Sequence, residues 1–246
     1  MQTTECEAIV LAAMDYGEAD RIVTLFTREY GKVRGIARNG KKSVKRFGAA
    51  LDIFARLRLR LVLKEGLCSL RNADIMTVFP RIRKDLAKIG YAGYACEVVD
   101  RFLPEAQCNP RLFRLLSAYL EHLDAFPARA DDRRFFEVNL LNIVGYRLSL
   151  DRCEQCGAGV TSTEGGTSFA RTAKPVCDTC GRTWLPVSSV TLDILRKAME
   201  TGRFGLVRFS PETLHEAGEI LDTAIAAHMN RPLTSLLFLR DVPAVH

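Results

Sequence analysis

The sequence predicts an α+β protein. An N-terminal five-stranded OB-fold barrel is followed by an α-helical domain with an inserted four-cysteine zinc module. Three observations lead there. Short apolar runs of period two, broken by glycines, are confined to the first 75 or so residues. Apolar spacing turns helical after Pro80. Two C-x-x-C pairs stand at Cys153–Cys156 and Cys177–Cys180. The expected domains are 1–79 for the barrel and 80–246 for the helical part, with the zinc module at 151–184.

The strands come first. Ala8 to Met14 is an apolar run, and Arg21 to Phe26 is a second with β-branched Ile22, Val23 and Thr24. Lys32 to Ala37 alternates basic and apolar residues after Gly31. The clearest strand places Leu57, Leu59, Leu61 and Leu63 on one face, with Arg56, Arg58 and Arg60 on the other. A fifth runs from about Leu67 to Ile75. Five short strands in this length suit an OB-fold, the five-stranded Greek-key barrel.

Helices follow. One runs through Leu86, Ile89, Tyr94, Val98 and Phe102 and stops at Pro104. A second starts at Pro110, a residue favoured in a first helical turn. A third is expected after Asp131 as N-cap, with Phe136, Leu140, Ile143 and Val144 on one face. Helices are also expected over Thr191–Glu200 and after Ser210-Pro211. The apolar stretch Leu233 to Leu239 closes the helical core, and 157–167, rich in Gly, Ser and Thr, reads as a loop.

Each C-x-x-C pair is followed by a glycine, Gly157 and Gly181. Two thiolates three residues apart can grip one metal from a tight turn, and the glycine supplies the positive φ that the turn needs. Two such turns make a tetrahedron, so Cys153, Cys156, Cys177 and Cys180 are the expected ligands of one structural Zn²⁺ per chain. Four thiolates leave no position for water or substrate. The competing readings are two unrelated thiol pairs or a redox site, which needs one pair between a strand and a helix. Cys6, Cys68, Cys96 and Cys108 read as buried, reduced thiols. Met1 to Glu7 is polar and acidic, unlike a secretory leader, and no apolar run is long enough for a membrane span. The expected compartment is the cytoplasm.

The net charge is +6, and most of it lies early: residues 1–80 hold fourteen Lys and Arg against nine Asp and Glu. No acidic residue falls between Glu29 and Asp52, a window containing Lys32, Arg34, Arg38, Lys41, Lys42, Lys45 and Arg46. Its Asn39, Gly40, Ser43 and Gly48 suggest a mobile loop. With Arg56, Arg58 and Arg60 on the next strand, these cations are the expected contacts to a polyphosphate, by backbone and with little sequence readout. Tyr30, Phe47 and Phe54 read as core rather than as stacking platforms. No phosphate-binding glycine motif, dinucleotide fingerprint or serine-nucleophile elbow occurs. Asp131-Asp132 reads as a helix start, so the chain is expected not to be an enzyme. The alternative is a zinc-ribbon nucleic-acid-processing enzyme, such as a nuclease, in which the metal module is only a support.

Several stretches together resemble the RecO family of bacterial DNA repair and recombination mediators. They are Glu7–Leu11, Tyr16-Gly-Glu-Ala-Asp-Arg21, Leu25-Phe-Thr-Arg-Glu-Tyr-Gly-Lys-Val33, and the basic segment to Arg46-Phe-Gly48. They continue with Arg134-Phe-Phe-Glu137, Gly145-Tyr146 leading into Cys153-x-x-Cys156-Gly157, and Arg231-Pro-Leu-x-Ser235. The resemblance covers nearly the whole chain. It implies an N-terminal OB-fold, a helical C-terminal domain and, in many members, a zinc module within it. It implies binding to single- and double-stranded DNA and annealing of complementary strands. It also implies contact with the acidic C-terminal tail of single-strand-binding protein. With RecR, and often RecF, such proteins help to load RecA, and they use no nucleotide. A groove for a phenylalanine-ending acidic tail needs an apolar pocket and cations. The stretches that could supply it are Arg111, Arg114 and Leu115, with Arg133, Arg134 and Phe135.

Overall fold

The structure is a computed structural model that describes residues 3–43, 46–48, 50–159, 167–169, 175–177, 179–180 and 185–241. Five strands come first: β1 (Thr4–Tyr16), β2 (Asp20–Thr27), β3 (Gly31–Ala37), β4 (Arg56–Val62) and β5 (Leu67–Thr77). Helices α1 (Leu86–Phe102), α2 (Pro110–Ala125) and α3 (Ala130–Ile143) follow. Short strands β6 (Thr167–Phe169), β7 (Pro175–Val176) and β8 (Leu185–Val187) come next. Helices α4 (Ser189–Glu200), α5 (Pro211–Ala226) and α6 (Thr234–Asp241) complete the order. The chain divides into two compact units, 1–127 with 233–246, and 128–232. No helix among the described residues is long and apolar enough to cross a membrane.

In the first unit β1–β5 close into a barrel of order β1-β2-β3-β5-β4, with β3 and β5 parallel and the other neighbours antiparallel. This is the OB-fold that the strand pattern predicts. Alternation explains its core. Leu57, Leu59 and Leu61 point inward with Val23, Leu25, Val33 and Leu70, while Arg58 and Arg60 point out. A bulge between Val10 and Ala12 bends β1. The segment between β3 and β4 plugs the barrel with Phe47, Ala50 and Leu51.

That plug corrects the expectation of a mobile basic loop. The amides of Gly40, Ser43 and Phe47 donate to the carbonyls of Ala37, Asn39 and Ser43, so successive turns tie the described residues down. Outside the barrel, buried Phe26 meets Phe113 of α2 edge-on at 5.5 Å. Helix α6 packs on α1, where Glu97 accepts the N–H groups of Thr234 and Ser235. Gly90 admits α6 so closely that a Cβ there would stand 2.6 Å from Leu239. Cys6, Cys68 and Cys96 are buried as expected, but Cys108 is exposed on the surface loop before α2.

The second unit holds α3, α4, α5 and the three-stranded sheet β7-β6-β8. Helix α3 starts two residues earlier than the sequence suggests. Its N-cap is Arg129, and Asp131 lies in the first turn, where it accepts the Phe209 N–H at 2.8 Å; buried Asp132 accepts that of Gly205 at 3.0 Å. Both acids therefore lie at a helix start, as the sequence predicts, and their side chains also tie α3 to the segment before α5. Helix α5 begins with the Ser210–Thr213 capping box.

Candidate functional site

The four cysteines form a cluster. The chain turns at Cys153–Cys156 and is held by the Gly157 N–H donating to the Cys153 carbonyl at 3.0 Å, with Gly157 at φ +71°. A tighter turn forms at the second pair, where the Cys180 N–H donates to the Cys177 carbonyl at 3.0 Å, and the Glu154 N–H donating to the Pro175 carbonyl ties the first turn to β7. All four sulfurs lie within 4.8 Å of one another, and those of Cys156 and Cys177 are 3.6 Å apart. A tetrahedron with metal–sulfur bonds of about 2.3 Å has sulfurs about 3.8 Å apart, so the donor set fits a thiophilic metal such as zinc. Backbone N–H groups of Cys177 and then Cys156 hold the Cys153 thiol down at about 6. The Cys180 S–H donates to the sulfurs of Cys177 and then Cys156, which pushes its thiol up to about 12. Four thiolates so close repel each other, and a cation at their centre relieves that.

The basic residues separate into two groups. On β3 and the turns after it, Arg34, Arg38 and Lys42 are exposed and make no ion pair among the described residues. Lys41 pairs with Asp15 at 3.0 Å, and Arg46 donates to the Arg38 carbonyl at 2.7 Å. Lys45 lies outside the described residues. Lys32 is half-buried, pairs with Asp100 of α1 at 3.1 Å and so clips barrel to helix.

The row on β4 meets carboxylates. Arg56 pairs with Glu7 at 2.9 Å and Glu121 at 2.7 Å, and Arg58 and Arg60 share Glu5 at 3.6 and 3.4 Å. The register places Glu5 opposite Arg60 and Glu7 opposite Arg58. Arg58 and Arg60 stay more than half exposed, so their pairs are weak surface bridges. Phe47 and Phe54 are buried, and Tyr30 is half-buried with its hydroxyl 2.6 Å from that of Thr4.

The two stretches considered for an acidic tail belong to different units. On α2, Arg111 and Arg114 are exposed and Leu115 is half-buried. On α3, Arg133 and Arg134 are mostly buried. Each holds fully buried Glu137 at 2.7 Å and Asp222 of α5 at 2.8 and 2.6 Å. Gly218 lets the Arg134 guanidinium lie on α5, since a Cβ there would stand 2.7 Å from it. Burial works against the Arg134 charge, but Glu137 and Asp222 more than offset this and raise its pKa. Phe135 is buried, with its ring 4.7 Å from that of Phe204. Sequence reasoning could not see this four-residue network, because Asp222 is 88 residues from Arg134.

Comparisons with known proteins identify the family of both halves of the chain. The family model for the recombination protein O N-terminal domain matches residues 1–79, and that for its C-terminal domain matches 83–237. The DNA repair protein RecO of Geobacter sulfurreducens is 57% identical, over 98% of this chain and 99% of its own. That of Geobacter metallireducens is 55% identical over the same shares. The RecO of Pelobacter propionicus is 45% identical over 98% of each. With both family domains matched in order, and relatives aligned from end to end, the chain belongs to the RecO family.

Proposed function

We propose that the protein is a non-catalytic DNA-binding mediator of recombinational repair that anneals complementary single strands. With RecR, and in concert with RecF, it helps to load RecA onto DNA coated by single-strand-binding protein. It works in the bacterial cytoplasm, at the nucleoid. The observation that carries the reading is the exposed run Arg34, Arg38 and Lys42, cations with no carboxylate partner among the described residues. Such cations bind phosphates of single and double strands, reduce repulsion between two strands and let bases search for partners. Arg58 and Arg60 join them when phosphate displaces Glu5. Cys153, Cys156, Cys177 and Cys180 hold one Zn²⁺ as a structural pin. The acidic tail of single-strand-binding protein docks on α2 at Arg111 and Arg114, since Arg133 and Arg134 are already paired.

Annealing of complementary labelled strands tests this, with and without single-strand-binding protein. Changing Arg38 and Lys42 to Ala should lower the salt slope of single-strand binding by about 0.7 per lost contact. An unchanged slope, or Mg²⁺-dependent cleavage of the DNA, would overturn the reading. Arg114→Glu should weaken binding of the tail peptide in fluorescence anisotropy; unchanged affinity moves that site off α2.

A further inference from the structure

Strand β3 pairs with β5 only over Arg34–Ile36 against Leu67–Ser69. The earlier part of β3 is not joined to β5, and a cavity of about 610 Å³ occupies the seam. That volume is within the ~300–1,000 Å³ of small-ligand sites. It is lined by Tyr30, Val33 and Arg34 at β3, by the turn Leu63–Gly66 between β4 and β5, and by Cys68 of β5. Glu105 and Ala106 also line it, pinned by the Ala106 N–H donating to the Lys32 carbonyl at 2.9 Å.

The charges lining the cavity decide what it can hold. Two of the charged groups are already spent: Lys32 on Asp100, and Glu29 on the Glu7 N–H. The remainder are Arg34, Lys64, Glu65 and Glu105, two of each sign. A phosphate would sit against two carboxylates. A flat neutral heterocycle suits the mixture better, because its ring covers apolar Val33 and Leu63 while the carboxylates accept from an amino group. Arg34 belongs both to this lining and to the exposed cations assigned to the DNA backbone.

We propose that this cavity takes one unstacked nucleobase of a single strand, a base with an exocyclic amino group, whose flanking phosphate meets Arg34. The inference rests on the DNA-binding reading above. Carboxylates recognise cytosine through its amino group, and thymine at the same place offers only a carbonyl and a methyl. A duplex keeps its bases stacked, so the cavity would favour single strands.

The test uses the full chain and fluorescence anisotropy with three probes of equal length: oligo-dC, oligo-dT and an abasic strand. Oligo-dC should bind more tightly than oligo-dT by about fivefold or more. The abasic strand should be weaker than oligo-dC by at least a similar factor. Changing Glu65 and Glu105 to Gln preserves shape, and should bring the dC-to-dT ratio close to one; the melting temperature checks that the barrel is intact. An abasic strand that binds as tightly as oligo-dC overturns the proposal, as does an equal affinity of the native protein for oligo-dC and oligo-dT. A ratio that survives in the double variant also overturns it. Failure of all probes, and of duplex, would overturn the DNA-binding reading itself.

Discussion

Glu137 is fully buried and accepts from two guanidinium groups, each 2.7 Å away. Replacing it with Gln keeps the shape but removes the charge. Arg133 and Arg134, only 13% and 11% exposed, then lose that carboxylate charge and keep their bridges to Asp222. A hydrogen bond to a charged group contributes about 1.5–3 kcal/mol, and breaking a buried ion pair costs about 3–5 kcal/mol. Asp222 stays in reach at 2.8 and 2.6 Å, so the low end applies, about 3 kcal/mol. For a unit of roughly this size each kcal/mol moves the midpoint by about 4 °C or more. Thermal unfolding followed by circular dichroism should therefore drop by at least about 12 °C. Asp222→Asn should fall by much less, since that carboxylate is nearly half exposed and its bridges are worth up to about 1 kcal/mol. If Glu137→Gln changed stability by less than about 1 kcal/mol, the network would be incidental and both arginines would be open to other duties.

Three further outcomes follow from the structure. Cys177→Ser should release the metal, which contributes on the order of 10 kcal/mol to small zinc modules; elemental analysis of the native protein should find one zinc per chain, and none would remove the site. Burial pushes the Glu97 carboxyl up, but the N–H groups of Ser235 and Thr234 and the nearby Arg101 hold it below its ordinary 4.5. A depressed carboxylate stabilises the fold above that value and is lost as pH falls through the lowered one; amide exchange at Thr234 and Ser235 should speed up below about pH 4 beyond its intrinsic rate. Exchange that stays flat there would mean that Glu97 does not hold α6. Gly31→Ala should destabilise by well over about 1 kcal/mol, because φ is +69° and a Cβ would meet the Gln107 carbonyl at 2.2 Å; Gly17→Ala, also at positive φ but in open space, should lose less in urea unfolding.

The barrel was legible where alternation is strict. Leu57, Leu59 and Leu61 alternate with arginines, and the strand lies where that period says. Strand β1 is longer than its apolar run, because the bulge after Val10 interrupts the alternation and leaves four consecutive buried residues, Ala8 to Leu11. The cysteine turns were legible because their chemistry is local, set by spacing and a glycine. What sequence could not supply is pairing at a distance. The arginine row of β4 looked like unmet charge, but Glu5 and Glu7 stand beside it on β1, some fifty residues earlier. Phe47 is legible as core, and it is buried, but the turns that anchor the basic segment around it carry no sequence signal as clear as that ring. Arg133 and Arg134 looked like cations at a helix start until α5 brought Asp222 to them.

Helix α6 belongs to the same compact unit as the barrel, although about a hundred residues of the other unit intervene. During synthesis α1 is therefore made long before its partner. At roughly 5–20 residues per second, the surface around Gly90 waits some ~7–30 seconds for Leu239 to arrive. For that interval an apolar face stands open on a nascent chain, and aggregation or capture by a holdase chaperone competes with docking. Slower translation across the second unit would lengthen the exposure without altering a single native contact, so yield of folded protein should depend on elongation rate as well as on stability.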